Sequence, residues 1–299
     1  MRKLFECALN LSEGRRLGVI EEIAAAAGRA SPRGRVLDVA SNADHNRTVL
    51  TFVGPADAVE QAAVAVTALA LARINMNEHH GAHPRMGAVD VIPLVPLMDA
   101  TMDEAVALAR RIGARLGQEL GLPVFLYEEA ATRPERRNLA DVRQGEYEGL
   151  RERLQSPLWQ PDFGPPQPHP TGGAVAVGAR RFLVAYNVNL GTGDVRIAKA
   201  IARAVRAKDG GLSGVKAIGL ALSEPGRTQV SMNVVDPFNT PLYRVFELVR
   251  LEAQRYGVPV VGSEIVGLAP LAVLADTVRY YLRLEGFDDG QILEARLWA

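Results

Sequence analysis

The chain predicts an α+β fold. Apolar segments with strand and helix periodicity run strand, helix, strand, strand, helix, strand, and that order returns in the second half. It is the order of the split βαβ unit, so two ferredoxin-like βαββαβ subdomains with additional helices and strands are expected. Between the halves, residues 128–172 break the periodicity with a charged run followed by prolines. The division is placed at 1–178 and 179–299. The halves share this pattern and not their residues.

In the first half, residues 3–10 read as a strand and Ser12 as the N-cap of a helix reaching residue 27. Its free N–H groups make a possible carboxylate or phosphate site. Strands at 35–39 and 47–53 flank a turn-rich stretch and form a hairpin with a broad loop. Residues 55–74 are a helix with Val59, Ala62, Ala63, Val66, Leu69 and Ala70 on one stripe. A strand at 89–97 follows, then a capping box at Thr101 and Glu104 that opens a helix to about residue 120. Residues 123–127 add a short strand. Residues 128–172 read as a crossing segment and not a packed element. In the second half, 175–190 is strand-like and 194–207 a helix. Strands at 215–222 and 228–235 are joined by a turn at 223–227. A helix at 241–256, a strand at 258–266 and a helix at 271–284 close the chain.

Hydrophobic residues make up 48% of the 299, enough for a substantial core. Lys+Arg and Asp+Glu both number 34, so no global basic field exists to bind nucleic acid. Any anionic ligand has to be held by local groups. Cys7 is the only cysteine, which rules out an intramolecular disulfide and Cys-rich zinc sites. It alternates with apolar neighbours and reads as a buried small hydrophobe. No stretch approaches the ~20 apolar residues of a membrane span. The first residues lack the apolar run of a signal peptide. A cytoplasmic protein, with no membrane and no nucleic-acid partner, is the expectation.

Three of the five histidines, His79, His80 and His83, fall within five positions. His79 and His83 have the spacing that puts two rings on one helix face. Gly81 and Pro84 oppose a helix there, so the segment reads as a tight loop leading into a buried strand. Imidazole, the Arg85 guanidinium and the Asp90 carboxylate gather on it, and such loops carry chemistry.

The segment Gly81-Ala82-His83-Pro84-Arg85-Met86-Gly87-Ala88-Val89-Asp90 resembles the most distinctive motif of glutamate formiminotransferases. These enzymes transfer a formimino group between glutamate and tetrahydrofolate. Matching pieces follow in order, among them Asp44-His45-Asn46-Arg47-Thr48-Val49, Gly145-Glu146-Tyr147-Glu148, Pro161-Asp162-Phe163-Gly164-Pro165, Gly178-Ala179-Arg180-Arg181-Phe182-Leu183 and Val261-Gly262-Ser263-Glu264. The resemblance runs almost end to end. It implies the same two subdomains with a ligand groove between them, tetrahydrofolate as co-substrate, glutamate derivatives as partners, a homodimer and a place in histidine degradation.

It also implies His83 as the catalytic acid/base. Formimino transfer moves a one-carbon amidine between two nitrogens, one of which loses a proton while the other gains one. Histidine is the side chain whose ordinary pKa suits both tasks. His79 is implied to orient ligand or loop, and Arg85 and Asp90 to steady one or the other. The proline-glycine segment is implied to contact folate, with Gly164, Pro165, Gly172 and Gly173 lining the groove opposite His83. Arg180 and Arg196 are the cations placed to pair with a carboxylate. One departure stands out. The family carries an acidic residue two places after the one matching Asp38, and here that place is Ala40. Asp44 is the nearby carboxylate that replaces it in this reading. A cyclodeaminase domain that follows the transferase in many family members is not in this sequence, and another protein is expected to supply it.

Two other readings fit parts of the pattern. A zinc hydrolase would use His79, His83 and a carboxylate, but the Gly81 and Pro84 frame opposes convergence on one ion. A folate-binding protein without transfer activity would explain Ala40. No resident metal is expected.

Overall fold

The computed structural model describes residues 3–43, 45–81 and 83–298, so the candidate Asp44 lies outside the described residues. The chain divides into two compact units, Met1–Arg181 and Phe182–Ala299.

The first unit begins β1 (Lys3–Leu11), α1 (Leu17–Ala30), β2 (Arg35–Asn42), β3 (Arg47–Gly54), α2 (Ala56–Arg73) and β4 (Val89–Met98). β3 and β4 flank β1 antiparallel, and β2 pairs with β3, which gives the order β2-β3-β1-β4 of a ferredoxin-like unit. Then come α3 (Met102–Glu119), β5 (Val124–Glu128), α4 (Leu139–Val142), α5 (Glu146–Arg153) and β6 (Val175–Ala179). β6 pairs parallel with β4, and β5 with β6, extending the sheet to six strands. The capping box forms as expected: Glu104 N–H donates to Thr101 Oγ1 at 3.3 Å, and Thr101 N–H to Glu104 Oε2 at 2.9 Å.

Strand alternation sorts β1 into two faces. Phe5, Cys7, Leu9 and Leu11 point to the helices and are buried with Leu50, Phe52 and Leu94. Each such side chain contributes on the order of 2 kcal/mol on leaving water. Glu6, Ala8 and Asn10 take the opposite face.

The second unit holds β7 (Val184–Leu190), α6 (Val195–Val205), β8 (Val215–Ala221), β9 (Thr228–Val234), α7 (Leu242–Gln254), β10 (Val260–Val266) and α8 (Leu271–Leu282). Its antiparallel order β10-β7-β9-β8 is again ferredoxin-like. Val184, Val188, Leu190, Val230 and Val245 are fully buried, while Asn187 and Asn189 face the other side of the sheet.

Three local expectations are corrected. The apolar run 175–190 is two strands in two sheets, because at Arg180 the chain gives its N–H to Leu94 O and turns away. Ser12 does not cap α1, which begins only at Leu17. Its hydroxyl donates to Gly87 O at 2.7 Å and its amide to Ala88 O at 2.9 Å. Residues 128–172 are packed. Val142, Leu150 and Leu154 cover Phe125 and Tyr127 on the face of β5 and β6 away from α3. The Arg136 guanidinium, 1% exposed, is held by Asp162 at 2.5 Å and by the carbonyl oxygens of Leu158 and Gln160.

Candidate active site

Antiparallel pairing brings the end of β1 and the starts of β3 and β4 to one edge of the first sheet. The histidine loop enters β4 at that edge and is fastened there by three residues. Asn46, with φ +48°, accepts from Gly14 N–H through Oδ1 at 2.9 Å and donates from Nδ2 to His80 O at 3.1 Å. Asparagine tolerates this left-handed conformation better than most side chains. Arg85 engages all five of its N–H donors. Nε donates to His79 Nδ1 at 3.2 Å and Nη2 to His79 O at 3.2 Å. The other three go to Glu146 at 3.0 Å and to both oxygens of Glu148 at 2.8 and 2.6 Å. The Glu-Tyr-Glu segment thus locks onto the loop, and Tyr147 N–H adds a bond to Arg85 O at 2.9 Å. Asp90, 2% exposed, accepts from Met86 N–H at 2.9 Å and pairs with Arg143.

These bonds settle the state of His79. Its Nδ1 is the acceptor from Arg85, so Nε2 carries the proton and donates to Asn46 O at 2.9 Å. Burial pushes its pKa below the usual imidazole value. His79 and Arg85 hold the loop, and both ring nitrogens of His79 and the whole guanidinium are engaged in doing so.

A small, tight recess opens beside this framework. Asn10, Ser12, His45, Arg47, His83 and Asp90 are among the groups that line it. The His83 ring centre lies 6.0 Å from that of His45. Arg47 donates from Nε to Asn10 Oδ1 at 2.7 Å, and no carboxylate among the described residues is paired with it. Burial pushes its pKa down to about 10, and the nearby Arg143 adds to that. The buried Nε of Arg143 has no acceptor among the described residues. Among the described residues two guanidiniums therefore face one carboxylate, Asp90, a charge balance suited to an anion. His83 feels the same field. Burial first, then Arg47, Arg143 and His45, push its pKa down to about 2. The ring is a neutral base across the physiological range. A second, wider and more open recess lies beyond Arg85, with Glu146 and Glu148 on its wall.

Other sequence candidates are placed as follows. Gly172 and Gly173 press against the loop: Ala88 N–H donates to Gly172 O at 3.0 Å, and a Cβ on Gly173 (φ +68°) would lie 2.3 Å from Met86 O. Their own N–H groups go to His169, from Gly172 to Nδ1 at 2.9 Å and from Gly173 to the carbonyl at 3.1 Å. Gly164 (φ +81°) packs on Leu122 O, and neither it nor Pro165 lines the His83 recess. Arg180 sits beside Leu94, four residues and about 13 Å down β4 from Asp90. Arg196 belongs to the second unit and pairs with Asp194 at 2.7 Å. Arg47, Asn10 and Arg143 had no assigned role in the sequence. A signal existed, since Asn10 and Arg47 are polar groups at the ends of otherwise apolar strands.

Comparison with known proteins decides the family. Residues 4–180 match the model of the formiminotransferase domain, N-terminal subdomain, and residues 185–294 match that of the formiminotransferase domain. The chain belongs to the formiminotransferase family. A glutamate formimidoyltransferase of Streptococcus pyogenes serotype M1 is 48% identical over 298 residues, covering 99% of each chain. One from Thermoplasma acidophilum is 48% identical over 296 residues, 98% of this chain and 97% of its own. A formimidoyltransferase-cyclodeaminase of Gallus gallus is 46% identical over 290 residues, 95% of this chain but 53% of its own length. Across the described residues no helix is long and apolar enough to cross a membrane.

Proposed function

We propose that this formiminotransferase-family chain is a glutamate formimidoyltransferase, moving a formimino group between N-formimino-L-glutamate and tetrahydrofolate as a step of histidine degradation. The observation that carries the reading is a neutral His83 in a recess whose charges call for an anion, in a chain 48% identical to proteins of that name. The folate N5 attacks the formimino carbon, and a tetrahedral intermediate forms. His83 takes the proton released by N5 and returns it to the glutamate nitrogen as the C–N bond to it breaks. A carboxylate of the glutamate half sits against Arg47. That charge offsets the two guanidiniums and raises the His83 pKa toward the range where it gives the proton back. Asp90 positions Arg143 and the loop. Within the proline-glycine segment, Gly172 and Gly173, which press against the histidine loop, shape the folate side. Asp44 supplies the carboxylate that Ala40 lacks. A homodimer and a cytoplasmic location belong to the same reading.

The zinc hydrolase reading is disfavoured by His79, whose Nδ1 lone pair is taken by Arg85 and whose Nε2 proton is held by Asn46 O. Incubating the protein with tetrahydrofolate and either formiminoglutamate or formylglutamate tests the proposal. Formimino transfer is the expected result. Folate binding without turnover on either donor would favour the binding-protein reading.

A further inference from the structure

α8 is a helix with two apolar faces, and the chain covers one of them. Its twelve residues hold two charges, Asp276 and Arg279. On the inner side Val273 is buried, the Tyr280 ring stacks on Tyr243 with centroids 4.2 Å apart, and Tyr281 meets Phe246 edge-on. On the outer side Leu271, Leu274, Val278 and Leu282 follow one another at steps of three, four and four residues, which sets them on one stripe. All four are open to solvent, at 42, 40, 45 and 65%. A helix that is apolar all round belongs in a place covered all round. With Tyr281, 47% exposed, five side chains of this size present on the order of 400 Å². That is enough apolar area for the core of a standard contact of about 800 Å² per partner.

Two features identify the cover. The charges around the stripe are already satisfied. Arg279 pairs with Asp276 and, at 2.7 Å, with Asp289, and Glu247, which accepts from the Tyr281 hydroxyl, pairs with Arg250. The stripe itself carries no charge, so it neither asks for a partner of opposite sign nor repels a second copy of itself. It is also self-complementary. Two such helices set antiparallel about a two-fold axis near residue 276 bring Leu271 against the partner subunit's Leu282 and Leu274 against the partner subunit's Val278, apolar on apolar at every level. We propose that two copies of this chain associate through the outer faces of α8, in an isologous contact with Leu274 and Val278 at its centre. This inference rests on the homodimer reading given above and gives that dimer its surface.

The test is sedimentation equilibrium on the full chain, where the wild type is expected to be a dimer. Val278→Glu, checked for folding by circular dichroism, should raise the dissociation constant about 100-fold or more, because each copy would bury an unpaired carboxylate. The register is tested separately. Cys7 is buried and is the only native thiol, so it stays silent in an oxidation experiment. Leu274→Cys mixed with Val278→Cys should form a disulfide-linked dimer faster than either variant alone. A wild-type dimer that folded Val278→Glu leaves intact overturns the inference while the homodimer reading stands. So does a mixture of the two cysteine variants that yields no linked dimer. A monomeric wild-type chain overturns both, and leaves the face to a different protein.

Discussion

Arg85 Nε donates to His79 Nδ1 across 3.2 Å within the histidine loop, while the Nη groups of the same guanidinium tie that loop to Glu146 and Glu148. The Nε bond fixes the tautomer of His79 and, through Asn46 O, the start of β3 that carries Arg47. The framework on one side of the recess thereby sets the charge on the other.

Arg85→Lys should therefore damage more than its retained charge suggests. Lysine has three donors and no planar fork, so His79 Nδ1 and one oxygen of Glu148 lose their partner. Glu148 is largely exposed and rehydrates, which limits the cost to about 2 kcal/mol. A melting temperature several degrees below wild type is the expected outcome, with kcat/KM reduced as the loop loosens.

Stability should also depend on pH through the two histidines. Folded His83 has its pKa pushed down to about 2 and folded His79 below its ordinary value, whereas unfolded imidazoles titrate near 6.5. Below that pH the unfolded chain binds protons that the folded chain refuses. Stability is therefore full above about pH 6.5 and falls as the solution is acidified, by on the order of 1 kcal/mol per pH unit for His83. Melting curves from pH 7.5 to 5 should show the fall, and His83→Asn should flatten it.

Arg47→Met removes one of the two guanidiniums around His83. The KM for formiminoglutamate should rise about 10-fold or more, the scale of a lost charge-assisted pair. The His83 imidazole should titrate at higher pH than in the wild type, as followed by NMR. An unchanged KM would remove Arg47 from the substrate site.

Gly173→Ala places a Cβ 2.3 Å from Met86 O at a φ of +68°. The loop has to shift, at a cost of about 1–3 kcal/mol. Thermal unfolding and turnover should both suffer, whereas Gly121→Ala, at a similar φ of +60° but in open space, should lose less stability and no turnover.

What the sequence made legible was local. The Thr101–Glu104 capping box and the turn at 223–227 are specified by residues a few places apart, and both form. The histidine loop was legible because glycine and proline exclude a helix there. What stayed hidden depended on distant partners. Ser12 has the chemistry of a cap, but Gly87, in the loop just before β4, claims its hydroxyl. The charged stretch after residue 128 looked solvated, yet Arg136 is buried by carbonyl oxygens, and Arg153 lies 3.4 Å over the Trp159 ring. Arg47 was unreadable as a site residue because its importance lies in having no carboxylate partner among the described residues, and only the folded recess reveals that.

The central claim is that His83 moves the proton between the two nitrogens. Its most direct measurement is the turnover of His83→Asn, with folate binding determined on the same sample. Turnover about 10²-fold or more below wild type, with folate affinity within a few-fold of wild type, is the predicted result. Retained turnover, or folate binding that collapses together with activity, would contradict it.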